Sequence, residues 1–127
     1  MGISITGGVK VPQGKFKVYV APASAATSGG LWAWGDGADG QHGLGNTTTY
    51  SSPVQVGALT DWTTIDSVYN HTLAVNTTGE LFAWGLNNFG QIGLGNTVNT
   101  SSPIQVGALT TWISVDTDSH TVALKTE

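Results

Sequence analysis

The segment LWAWGDGADGQHGLGN at residues 31–46 returns fifty positions later as LFAWGLNNFGQIGLGN at 81–96. The register then holds without a gap to Asp66 and Asp116, and SSPVQVGALT (51–60) returns as SSPIQVGALT (101–110). After that the second copy drops one residue. SVYNHTLAV at 67–75 becomes TDSHTVAL at 117–124, with His71 matching His120. A fixed period followed by a single slip is the mark of duplication, and a repeat of this size must stack on neighbours to bury its apolar side. The fold is therefore set by what one repeat can be.

One repeat reads as four short strands. WTTIDSV (62–68) is β-branched and bounded by polar turns; HTLAV (71–75) follows, and NTTGE (76–80) supplies a hairpin glycine. LFAWG (81–85), the glycine-amide loop and PIQV (103–106) complete the unit. Pro103 suits an outermost strand, where a missing N–H removes no ladder bond. The 18 glycines and the 9% charged content agree with short strands and tight turns, not with a disordered or coiled-coil chain. An antiparallel four-stranded unit of about 50 residues is the size of a propeller blade. The predicted fold is all-β, about two blades per chain, completed by oligomerisation. Its parts are an arm or docking strand (1–30), a first repeat (31–80) and a truncated second repeat (81–127).

LFAWGLNNFGQIGLGN, followed by SSPIQV, a Trp and HTVAL, resembles the repeat of the regulator of chromosome condensation family. That pattern runs L-x-x-W-G-x-N-x-x-G-Q-L-G-x-G, then a proline-led strand and a closing H-x-x-A-L. Its positions here are Trp34, Gly35, Gly40, Gln41, Gly43 and His71 in the first copy. In the second they are Trp84, Gly85, Asn87, Gly90, Gln91, Gly93 and His120. The resemblance implies a structural His that links neighbouring strands through hydrogen bonds. The first copy departs from the pattern: Gly37 stands for Asn87, Asp39 for Phe89 and His42 for Ile92. Glycines allow tight turns, the Gln and Asn amides satisfy loop backbone groups, and Trp34 and Trp84 are expected between blades as core.

No residue constellation for catalysis emerges. Without cysteine, thiol chemistry and cysteine zinc sites are excluded. DGADG at 36–40 lacks the alternating oxygen ligands and closing Glu of a calcium loop and reads as an Asp-Gly turn. No helix follows it to receive a phosphate, and no serine has an evident base and orienting acid. The expectation is no enzyme, no cofactor and no metal. No apolar run reaches the roughly 20 residues of a spanning helix. The net charge is −4; Lys10, Lys15 and Lys17 lie in the arm and all eight acidic residues from Asp36 onward. Repeats of that sign are poor partners for nucleic acid.

The phase of the repeat leaves strands over. Residues 62–107 make one whole blade, 111–115 and 120–124 an inner pair, and 31–57 an outer pair. KFKVYV (15–20) in the arm reads as a docking strand or a decayed repeat. Unpaired edges seek partners, so the expected state is a homo-oligomer: three chains for six blades, four for eight, or a filament. A fragment of a longer repeat protein is the other explanation. The expected function is a non-catalytic structural or assembly protein. A cysteine-free Ser/Thr/Asn/Gly surface, no secretion signal and a start faintly like those of phage virion proteins point to a virion or extracellular setting, with other virion proteins as further partners. The alternatives are a lectin-like or protein-binding module using Tyr50, Tyr69 or Phe89, and, less favoured, guanine-nucleotide exchange.

Overall fold

The computed structural model describes residues 3–5, 9–11 and 28–127. The docking strand expected at 15–20 and the rest of the stretch 12–27 lie outside the described residues. Among these residues there are strands and turns but no helix, so nothing here is long and apolar enough to cross a membrane as a helix. β1 (Ile3–Ile5) and β2 (Val9–Val11) pair as a hairpin. β3 (Trp32–Gly35) pairs with β4 (Tyr50–Gln55). β5 (Trp62–Val68), β6 (His71–Asn76), β7 (Leu81–Gly85) and β8 (Thr100–Gln105) form one antiparallel sheet in chain order. β9 (Trp112–Thr117) pairs with β10 (Thr121–Lys125). From residue 28 on, the chain is thus an outer pair, a complete blade and an inner pair.

The central strands β6 and β7 are buried on both faces, so their apolar residues run almost without interruption and turn alternately to the two sides. Leu73, Val75, Leu81 and Ala83 turn to one side, where Ile92 and Val115 join them. Ala74 and Trp84 turn to the other, with Trp62, Leu31 and Phe82. Each large side chain so buried contributes about 1.5–3 kcal/mol. Pro103 falls inside β8, longer than the expected strand, and β8 is the sheet's outer edge, so its missing N–H leaves no gap in a ladder.

Turns carry the glycines and amides. Asn76 Oδ1 accepts from the Thr78 and Glu80 amides and its backbone O from Gly79 N, closing the β6–β7 hairpin. Gly85 lies at φ 101°, and a Cβ there would stand 2.3 Å from Asn70 O, so both conformation and closeness exclude a side chain. The one-residue slip sits in a turn. Ser67 opposes Thr72 in the complete blade and Thr117 opposes Thr121 in the inner pair. The deletion shortens the connection and spares the strand register.

Candidate functional site

Neighbouring blades meet through the glycine-amide loop. In the loop after β3, Gln41 Oε1 accepts from Asp39 N, and the Gln41 backbone carbonyl points at the next blade. That carbonyl accepts from both Thr72 Oγ1 (2.8 Å) and Trp84 Nε1 (2.9 Å). Gly43 lets the indole approach, since a Cβ there would come within 2.7 Å of Trp84 Nε1. Gly40 lies equally close to the next blade, its missing Cβ 2.6 Å from Ser101 Cα, and Gly45 N donates to Ser101 O. Asp39 Oδ2 takes the Asn70 amide at 2.7 Å. One tryptophan, three glycines and a carbonyl therefore make a joint between blades.

The second loop makes half of that joint. Gln91 Oε1 accepts from Phe89 N as Gln41 does from Asp39, and Gln91 O accepts from Thr121 Oγ1 at 2.6 Å. No indole among the described residues reaches this carbonyl. Gly93, the counterpart of Gly43, has only Val106 Cγ1 near its missing Cβ, at 3.4 Å, and Gly90 has only Asn96 O, at 3.9 Å. A cavity of about 430 Å³ opens here between Gly93, Val106, Trp112 and Ala123.

Trp34 corrects the expectation of two core tryptophans. Trp84 is 1% exposed, but Trp34 is 60% exposed. The difference comes from the neighbours, because no blade precedes β3–β4 among the described residues. The two histidines differ for a similar reason. His71 is buried between β5 and β7, whereas His120 has no outer strand over it and is exposed. Nor does the His71 ring link strands: among the described residues its Nε2 has no hydrogen-bond partner, and only its backbone pairs. Burial lowers the His71 pKa from 6.5, against an opposing pull upward from Asp66. Asp66 in turn accepts from Thr117 Oγ1 across the inner strands, at 2.8 Å.

The first copy's departures compensate one another. In the second loop Asn87 is fully buried, donating to the Asn96 and Val98 carbonyls and accepting from Ile92 N. In the first loop Gly37 has no side chain, and the His42 ring occupies its space. A Cβ at residue 37 would lie 1.9 Å from His42 Nε2. His42 Nε2 bonds Thr48 O at 2.7 Å, the position that Val98 O holds in the other loop. His42 Nδ1 accepts from Leu44 N, so the ring serves as a donor at Nε2. The substitution pair exchanges one buried linker for another, a coupling that the sequence shows only as two mismatches.

No catalytic constellation is assembled by these residues. A groove of about 560 Å³ is lined by threonines, Trp112 and other residues none of which is ionisable. In DGADG, Asp36 Oδ1 accepts from Ala38 N and Asp39 bonds Asn70, so the carboxylates serve the turn and the blade joint. Among the described residues no three His, Asp or Glu side chains gather as a metal set. Of the expected exposed aromatics, Tyr69 and Phe89 are exposed. Tyr50 is instead half-buried, edge-on to His42 and accepting from Asn46 Nδ2.

The comparisons agree with this architecture. The regulator of chromosome condensation (RCC1) repeat matches residues 28–75 and 78–124, and a second model of that repeat matches 62–91. Human WBSCR16 shares 24% identity at a TM-score of 0.65, over 76% of this chain and 27% of its own. Yeast RCC1 (Prp20), in a structure with Kap60, shares 26% at 0.61, over 76% and 24%. Prp20p from Saccharomyces cerevisiae, in a structure reported with its binding to Gsp1p and histones, shares 19% at 0.55, over 63% and 22%. The chain thus spans about a quarter of the length of these structures' chains. Among curated protein sequences none matches. With three-quarters of its residues inside two repeat matches and a four-stranded blade between them, the chain belongs to the regulator of chromosome condensation (RCC1) repeat family.

Proposed function

We propose that this chain is a non-catalytic protein-binding module that works by assembly, completing its two half blades with strands from other molecules. The observation that carries the reading is the uneven set of strands. One complete blade lies between an outer pair with no inner strands and an inner pair with no outer strands, among the described residues. Such edges present unpaired backbone groups and apolar faces, which another chain's strands satisfy. The structural relatives fit the coarse property, since Prp20 is reported with Kap60 and with binding to Gsp1p and histones. Their partners are not carried over. The loops of the first copy differ from the family pattern, and the described repeats carry all eight acidic residues with Lys125 as their one lysine, a poor match for nucleic acid. The virion setting stays a proposal supported only by the cysteine-free, weakly charged composition; neither the family match nor these relatives adds to it.

The test is the mass of the purified 127-residue chain in solution, by sedimentation across a wide concentration range. Assembly into a discrete multimer or a filament is the expected result. A monomer that melts cooperatively, and that neither self-associates nor captures a strand-pair partner, would refute the proposal.

A further inference from the structure

The assembly reading leaves open what fills the cavity beside Gly93, and the complete joint within the chain supplies the template. We propose that this cavity is the seat for Trp34 of a second copy, whose indole N–H donates to the Gln91 carbonyl and whose β3–β4 pair completes the blade begun by β9–β10. This inference rests on the assembly reading and names its partner and its contact.

The fit can be followed residue by residue. Within the chain Trp84 lies on Gly43 and Val56, beside Trp62 and Ala74, with Nε1 on Gln41 O. Fifty positions on, or forty-nine past the slip, the same surroundings are Gly93, Val106, Trp112, Ala123 and Gln91, and all of them line the cavity. Thr121 already occupies one side of Gln91 O, as Thr72 does for Gln41 O. What the site lacks is an indole, and the residue that matches Trp84 is Trp34, which is exposed. Phe82 meets Trp62 edge-on at 5.1 Å; its counterpart in the second copy is Trp32, also exposed, opposite Trp112. The loop contact repeats as well, with Gly90 and Gly95 open where Ser51 of the second copy would lie, as Ser101 lies on Gly40 and Gly45.

The other faces agree. Leu73 and Val75 of the complete blade cover Val115 of β9. Their counterparts on β10, Val122 and Leu124, are exposed, and so is Ile65, the counterpart of Val115. In a shared blade Val122 and Leu124 of one copy would meet Ile65 of the second. Two apolar faces that are separately open in one chain cover each other between two. The described repeats of each copy then supply two blades' worth of strands, so a ring closed by these strands alone has an even number of blades.

The pairing of Leu73 with Ala83 in β6–β7 sets the expected register: Val122 of one copy opposite Ala33 of the second. Since the chain has no cysteine, Ala33→Cys and Val122→Cys give a clean cross-linking test. Directly opposed strand residues are within disulfide reach. Mixed and oxidised, the two variants are expected to form one disulfide-linked heterodimer, while either alone stays uncrosslinked. Trp34→Ala should weaken association about 30-fold or more, as for a buried tryptophan anchor, with Trp34→Phe intermediate. Circular dichroism of Trp34→Ala matching that of the parent separates a lost contact from a lost fold. Assembly without the 33–122 cross-link would overturn the seat and leave the assembly reading standing. A monomer at every concentration would overturn both.

Discussion

The swapped linkers of the two loops predict a strong interaction between residues 37 and 42. Gly37→Asn alone places a Cβ 1.9 Å from His42 Nε2 and 2.6 Å from Thr48 O. The buried ring would have to swing out of its place in the loop, and overpacking of this kind costs about 1–3 kcal/mol. His42→Ile alone removes the donor to Thr48 O and the acceptor for Leu44 N. A half-buried hydrogen bond lost in this way, together with the change of a buried side chain, costs about 1 kcal/mol or more. Together the two changes rebuild the arrangement of Asn87 and Ile92, in which the amide reaches the equivalent carbonyl and the apolar side chain is buried. The turn at 46–48 has to open slightly to the spacing its counterpart has around Asn87. The double variant should therefore lie within about 1 kcal/mol of the parent, with a coupling of about 2 kcal/mol between the sites. Urea melts of the parent, both single variants and the double, at one fixed protein concentration, measure it. Additivity of the single effects to within about 0.5 kcal/mol would show that the imidazole does not stand in for the missing amide.

Trp84→Ala should destabilise the fold by about 3–5 kcal/mol, because it empties a buried indole site and leaves Gln41 O with Thr72 alone; an unchanged melting temperature would refute that placement. The buried His71 is held below its ordinary pKa, chiefly by desolvation, so the unfolded chain binds its proton first as the pH falls. Stability should be full above pH 6.5 and decline below it until the folded-state value is passed, and His71→Gln should flatten that decline in pH-dependent melts. Adding EDTA should leave the melting temperature unchanged, whereas a reproducible shift would make DGADG a metal loop. Raising the salt to about 0.5 M should leave the assembly intact, since backbone pairing and apolar burial are little screened; dissociation would point to ion pairs instead.

The blade was legible because its signals are local. The hairpin glycine at 79, the β-branched run WTTIDSV and the proline on the outer strand all depend on residues within one repeat. The phase was legible too, since counting strands from WTTIDSV assigns one outer pair and one inner pair to the chain's two sides. What the sequence hid was whatever depends on a neighbour or on two sites at once. His42 reads as a mismatch until its ring is seen in the space that Gly37 leaves. The histidine expected to tie strands together has no partner for its Nε2 among the described residues, and its backbone alone joins β5 and β7.

Trp34 and Trp84 stand in nearly identical sentences and have opposite surroundings, so no window on the sequence could tell them apart. Burial at that position is decided by a glycine and a carbonyl from the preceding blade, and Trp84 has them in Gly43 and Gln41 while Trp34 does not. The same pair exists once more in the chain, at Gly93 and Gln91, with no tryptophan of its own. One joint is made, and two complementary halves of the same joint are left at opposite sides of the complete blade. A head-to-tail contact follows from that arrangement, because each half fits the other kind and the two lie at opposite sides of the complete blade. Whether the contact closes into a ring or runs on as a filament depends on the rotation from one blade to the next, which the joint between Trp84 and the loop at 41–43 sets and the joint at Trp34 would repeat.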